Sequence, residues 1–168
     1  MRILDLGGAS LLVDDQRPPD PDNPRGYYEL EAVKATARDA SWTARAPGRV
    51  VKVISWLLPH LPTSHRYRCV FMHRKLDQVV RSQRAMLERL GAGIPDTDEE
   101  TRRSQAAHLA EVGVWLETAP HIEVLGVSYE RVIAEPARQV ARIASFLELE
   151  LDVTKMTQAI EPDLHRQR

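Results

Sequence analysis

Cysteine is almost missing. Cys69 is the one thiol in 168 residues, so no disulfide can form within the chain. Set in an apolar run, it reads as a buried thiol of a reducing compartment, and the expected location is the cytoplasm. Aromatic residues make up 5% of the chain. They are not interleaved with basic residues, and no nucleic-acid module is evident, so nucleic-acid binding is the weakest functional reading. Long apolar runs are absent too. The most apolar stretch, Val50 to Leu61, is broken by Lys52, Pro59 and His60, far short of the roughly 20 residues a membrane helix needs. No basic segment followed by an apolar one opens the chain, so no secretory leader is expected. Six histidines and one cysteine show no ligand spacing, and no metal site is expected. No internal repeat or low-complexity tract is visible.

What remains is the composition of a globular protein, 43% apolar and 28% charged, long enough to bury a core as one domain over residues 1–168. Net charge is −1, but it is unevenly spread. Arg45 to Leu90 holds ten basic and two acidic residues, while the segments before and after are net −3 and −6. A basic middle between acidic ends fits an anionic ligand handled by the middle; it equally fits arginines on a solvated face.

Apolar spacing and breakers give the element order. Met1 to Leu6 reads as the end of an apolar helix stopped by Gly7-Gly8. Leu11 to Val13 is a short strand candidate, Asp14 to Arg25 a loop, and Glu31 to Asp39 a helix. Arg49 to Ile54 reads as a strand and Trp56 to Leu61 as a helical turn ended by Pro62. Tyr67 to Met72 is the strongest strand. Leu76, Val79, Val80, Met86, Leu87 and Leu90 recur at helical spacing, and Gly91 ends that helix. A surface helix over Asp98 to Thr118 follows, with Glu99, Arg102 and Arg103 on its wet side. Then come a strand over Ile122 to Val127, an amphipathic helix over Pro136 to Leu147, and a short helix over Val153 to Ile160. Alternating strands and helices predict an α/β fold: a small, mostly parallel sheet flanked by helices. Ligands in such sheets sit at the carboxyl ends of strands.

Arg74 lies where the strongest strand ends, placed to fork onto a phosphate with two parallel hydrogen bonds. Ser82 follows eight residues later on the next helix. Spacing alone does not tie the two to one ligand, and an exposed arginine with a helix-surface serine is the plain alternative. Trp42, Trp56 and Trp115 read as core or subunit anchors. Lys52 either approaches an anion or runs along a sheet edge.

The stretch FMHRKLDQVVRSQ resembles the segment of sulfotransferases in which a strand ends in Arg and a Ser follows eight positions on. In that family the pair holds the 3′-phosphate of the donor 3′-phosphoadenosine 5′-phosphosulfate (PAPS), a role that carries over onto Arg74 and Ser82. VLGVSYERVIAEPARQVARIASFLELELD is similar to the family's strand, Tyr-Glu turn and Pro-started helix. By that resemblance Tyr129 lies near the adenine; its local alternative is a half-buried anchor. DNPRGYYELEAVK, VVKVISWLLPHLP and the closing LHRQR resemble bacterial members. The resemblance implies a P-loop-like sulfotransferase fold and transfer of a sulfuryl group from PAPS to a hydroxyl or amine of a small molecule or glycan, without a membrane or nucleic-acid partner.

Two departures qualify this. The family opens with a strand and a Gly-containing loop that cradles the 5′-phosphosulfate with backbone N–H groups and a basic side chain. Gly7-Gly8 follows a helix and lacks the Lys/Arg-Ser/Thr pair, so the chain reads as N-terminally truncated and, as it stands, feeble or inactive. Nor does a histidine match the family's base; Ser55-Trp56 occupies that neighbourhood. Glu29 is the candidate catalytic base, with Asp14 and Asp15 as alternates, and each also reads as a cap, turn residue or solvated charge. The rival expectation is a non-catalytic relic or interaction module of the same fold, with an exposed apolar patch and a tendency to form homo-oligomers.

Overall fold

The computed structural model describes residues 1–14, 16–20, 23–89, 91 and 97–160. Its centre is a pair of parallel strands, β1 (Tyr67–His73) and β2 (Ile122–Ser128), in register from Tyr67↔Ile122 to His73↔Ser128. Among the described residues six α-helices accompany them: α1 (Arg2–Leu6), α2 (Leu76–Arg89), α3 (Asp98–Thr118), α4 (Tyr129–Ala134), α5 (Pro136–Leu147) and α6 (Val153–Gln158). Three short 3₁₀ turns, Glu31–Ala35, Ser41–Arg45 and Ser55–His60, shape the first third. The fold is thus mixed α/β, a small parallel sheet flanked by helices. No helix among the described residues is long and apolar enough to cross a membrane.

Alternation along the strands divides the core in two, because successive side chains point to opposite faces. Tyr67, Cys69, Phe71 and Ile122 face one cluster, built on Leu12, Leu30, Trp42, Leu58 and Val112 and closed by α3 and the 3₁₀ turns. Val70, Leu125 and Val127 face the other, built on Leu4, Val132, Val140, Ile143 and Met156 from α1, α4, α5 and α6. A parallel pair covered on both faces is the usual arrangement for such sheets. Burial pushes the Cys69 thiol up from its ordinary value, as expected for a structural thiol.

Local chemistry sets the helix ends. Thr97 and Glu100 form a reciprocal capping box at the start of α3, satisfying two otherwise orphaned donors. Pro136 occupies the first turn of α5, where its fixed φ and missing N–H cost nothing. Val140 and Ile143 bury its inner face. Asp152 caps α6 through the Lys155 N–H at 3.0 Å. Its own N–H donates to Gly7 at 3.0 Å, and Arg2 donates to the Ala159 carbonyl at 3.2 Å, so α1 and α6 are tied at both ends.

Three expectations need correction. Leu11 to Val13 is not a strand: Leu11 alone forms a bridge, to Val50. Arg49 to Ile54 is not a strand: only Val50 forms an isolated parallel bridge, with Leu11. Val50 donates to the Ser10 carbonyl at 2.8 Å and accepts from the Leu12 N–H at 3.0 Å; beyond that bridge the backbone pairing stops, and Lys52 donates to the Tyr27 carbonyl and to Glu29. The helix expected over Glu31 to Asp39 is one 3₁₀ turn. The Thr36 hydroxyl bonds back to the Val33 carbonyl at 2.5 Å and receives the Trp42 indole N–H at 3.0 Å, an alternative to helix propagation. Leu90 and the closing LHRQR lie outside the described residues.

Candidate functional site

The paired ends of β1 and β2 place the next residues of each strand side by side. Arg74 follows His73 and Tyr129 follows Ser128, and the Arg74 guanidinium carbon lies 4.9 Å from the Tyr129 ring centroid. That is within cation–π reach. Arg74 Nε donates to Gln78 Oε1 at 3.2 Å, and Gln78 is buried. Among the described residues no hydrogen bond engages the two Nη atoms of Arg74. One edge of the guanidinium is therefore committed to the protein, and the fork that matches phosphate oxygens is not.

Ser82 is half-buried on α2, one helical turn beyond Gln78 and on the same face. Arg74 stands two residues before α2 begins at Leu76, and Gln78 and Ser82 follow on one side of the helix. No hydrogen bond to the Ser82 hydroxyl occurs among the described residues. Arg74, with Gln78 bonded to it, and Tyr129 thus meet at the strand ends, and Ser82 stands one turn further along α2.

Glu130 joins the two strand exits. Its Oε2 accepts from the Ser128 hydroxyl at 2.9 Å and its Oε1 from the Lys75 backbone N–H at 3.3 Å. Ser128 also caps α4 by accepting from the Arg131 N–H. Partial desolvation pushes the Glu130 carboxyl up, but its own N–H, the Ser128 hydroxyl and Lys75 outweigh this and hold it below the ordinary glutamate value. His73 covers the β2 backbone. A Cβ built on Gly126 would meet its Nε2 at 3.2 Å, so a larger residue there would need the imidazole to shift slightly.

Glu29 belongs to a separate group. Lys52 donates to its Oε1 at 3.0 Å, and Arg17 lies 3.6 Å from its Oε2. Burial raises its pKa, but hydrogen bonding and charge from Lys52, then Arg17 and Lys34, bring it below the ordinary value. It lines an open cleft of about 280 Å³ with Arg17, Arg25, Tyr27 and Tyr28. The Arg17 guanidinium sits 3.4 Å over the Tyr27 ring. Tyr28 adopts a left-handed φ of 52°, a conformation that costs a non-glycine residue roughly 1–3 kcal/mol. Asp14, the alternate base, accepts the Glu31 N–H at 2.6 Å and the Gln16 N–H at 3.2 Å, the contacts of a turn and cap. Asp15 lies outside the described residues. Among those residues, no group of three or more His, Cys, Asp or Glu is placed to hold a metal.

Trp42 is buried in the first core cluster and Trp115 packs against it. Trp56 is 53% exposed and stacks on buried His108, ring centroids 3.4 Å apart. His108 Nε2 lies 2.8 Å from the Ser55 hydroxyl. The Trp56 ring therefore acts as the outer cover of the buried His108 imidazole.

Residues 103–162 match the family model for the sulfotransferase domain. The similarity to that domain thus covers 60 of the 168 residues. The matched segment runs from α3 through α6, so it takes in Tyr129 and Glu130 but not Glu29, Arg74 or Ser82. No curated protein and no solved structure matches the chain significantly. Gln78 and Glu130 were not among the residues singled out from sequence. The signal for Gln78 was its position four residues after Arg74; for Glu130 it was the serine cap two residues before it.

Proposed function

We propose that this sulfotransferase-like chain binds the 3′-phosphoadenosine half of PAPS at the carboxyl ends of β1 and β2. The observation that carries the reading is Arg74, held by Gln78 along one edge and by the Tyr129 ring across one face, with its Nη fork unengaged among the described residues. A 3′-phosphate accepts two parallel hydrogen bonds from such a fork, and the Ser82 hydroxyl supplies a third donor from the same side. Tyr129 offers a π face to the adenine. The arrangement fits the nucleotide in charge and donor set without a metal.

Bound PAPS supplies an activated sulfuryl group, and transfer is an in-line displacement resembling phosphoryl transfer. The protein contributes positioning and stabilisation of charge on the equatorial oxygens. Glu29 is our candidate for taking the acceptor's proton, and the cleft beside it is a candidate place for a small-molecule or glycan acceptor. Pairing with Lys52 makes Glu29 a weak base, so release from Lys52 would accompany any such role. Among the described residues no glycine loop leads from a strand into a helix to cradle the 5′-phosphosulfate. Transfer by these residues alone is therefore expected to be feeble, and nucleotide binding is the activity to measure. Titration of adenosine 3′,5′-bisphosphate into the wild-type chain and Arg74→Ala tests this: binding lost in the variant supports it, and equal affinity contradicts it.

One observation favours a second reading, a non-catalytic module that associates through exposed apolar surface. Ile54, Trp56, Met72 and Val124 are 55%, 53%, 49% and 40% exposed. Sedimentation showing a monomer at all accessible concentrations would argue against self-association.

A further inference from the structure

Helix α2 begins with an exchange of partners. The Lys75 carbonyl accepts from the Gln78 and Val79 N–H groups, which makes Lys75 the N-cap and Gln78 the third helical residue. A Gln or Glu at that third position commonly reaches back to the N-cap N–H. Gln78 does not: its Oε1 receives Arg74 Nε instead. The orphaned Lys75 N–H is taken by Glu130, which arrives from the end of the other strand. The second oxygen of that carboxylate is anchored by Ser128.

We propose that Glu130 is a positioning residue for Arg74. It frees Gln78 to hold the guanidinium and fixes the peptide that follows Arg74 against the start of α4, where Tyr129 stands. The inference rests on the nucleotide reading above. Arginine carries considerable rotamer entropy, and a guanidinium pinned before the phosphate arrives binds it more tightly than a wandering one. Without Glu130, Gln78 is expected to turn back to the Lys75 N–H and release Arg74. The carboxylate therefore acts through Arg74 without touching the ligand.

The test is the ratio of affinities for adenosine 3′,5′-bisphosphate and adenosine 5′-monophosphate, measured by calorimetry. That ratio reports the 3′-phosphate contact and is insensitive to a general loosening of the fold. Wild type is expected to prefer the bisphosphate. Glu130→Ala is expected to reduce the preference roughly tenfold, the scale of one charge-assisted hydrogen bond. Glu130→Gln retains an oxygen for the Lys75 N–H and is expected to keep most of the preference. Glu130→Asp keeps the charge but not the reach, and is expected to behave like the alanine variant; it serves if the alanine variant does not fold. An undiminished ratio in folded Glu130→Ala or Glu130→Asp, or equal loss for both nucleotides, overturns the role of Glu130 alone. A wild-type chain that shows no preference overturns the nucleotide reading and this inference together.

Discussion

The Arg74 guanidinium lies 4.9 Å from the Tyr129 ring although the two residues are far apart in sequence. Parallel register brings them together: His73 pairs with Ser128, and each strand delivers its next residue to the same edge. The pair is a consequence of topology, and ligand binding at strand carboxyl ends follows the general rule for open α/β sheets.

Replacing the ring tests the pair from the Tyr129 side. Tyr129→Leu removes the π face and is expected to weaken binding of adenosine 3′,5′-bisphosphate severalfold, since a partly exposed cation–π contact is worth about 0.5–1 kcal/mol. Tyr129→Phe keeps the face and should stay near wild type. Calorimetry on both variants decides; equal affinity for leucine and phenylalanine would remove the ring from the site.

A second prediction concerns the helical layer under β2. Met156 is fully buried, and a Cβ built on Gly7 would meet its Cγ at 2.5 Å. Gly7 has an ordinary φ of −75°, so close approach, not backbone freedom, requires glycine there. Met156→Ala should cost roughly 2–5 kcal/mol by leaving a cavity. Gly7→Ala should destabilise the wild type but cost much less in the Met156→Ala background. Denaturant unfolding of the double-mutant cycle measures this coupling, and additive effects would contradict the packing.

Much of the helical layer was legible in sequence, from apolar periodicity in α5 and from end signals in both α3 and α5. The bounds of α3 and α5 match Asp98 to Thr118 and Pro136 to Leu147, where a capping box and a first-turn proline mark the starts. The segment around Lys52 was misread because β-branched residues favour a strand without making one. A ladder needs a run of paired residues, and here the pairing with Leu11 ends at Val50, while Lys52 donates to Glu29 and to the Tyr27 carbonyl. The Glu31 to Asp39 helix failed for a side-chain reason, Thr36 bonding back to Val33. Arg74, Ser82 and Tyr129 were named from sequence, but the link through Gln78 and Glu130 was not. Those bonds cross from one strand exit to the other, and spacing along a chain carries no such information.

Acid should reveal the Glu29 group. Its carboxyl titrates lower in the folded state than its ordinary value of 4.5, chiefly through Lys52 acting against burial. A depressed folded pKa contributes stability that is complete above the unfolded value and is lost as pH falls through the folded one. Glu29→Gln should lower the melting temperature at neutral pH and have a smaller effect at pH values below the folded pKa. Thermal melts across that range check this, and a constant difference between the two proteins would contradict the ion pair.

The most direct test of the account is titration of adenosine 3′,5′-bisphosphate into the folded wild-type chain alongside Arg74→Ala. The account predicts saturable binding to wild type and a loss of at least about tenfold in the variant, the scale of charge-assisted hydrogen bonds to a phosphate. Absence of binding by folded wild type, or equal binding by the two, would contradict a nucleotide site at the ends of β1 and β2.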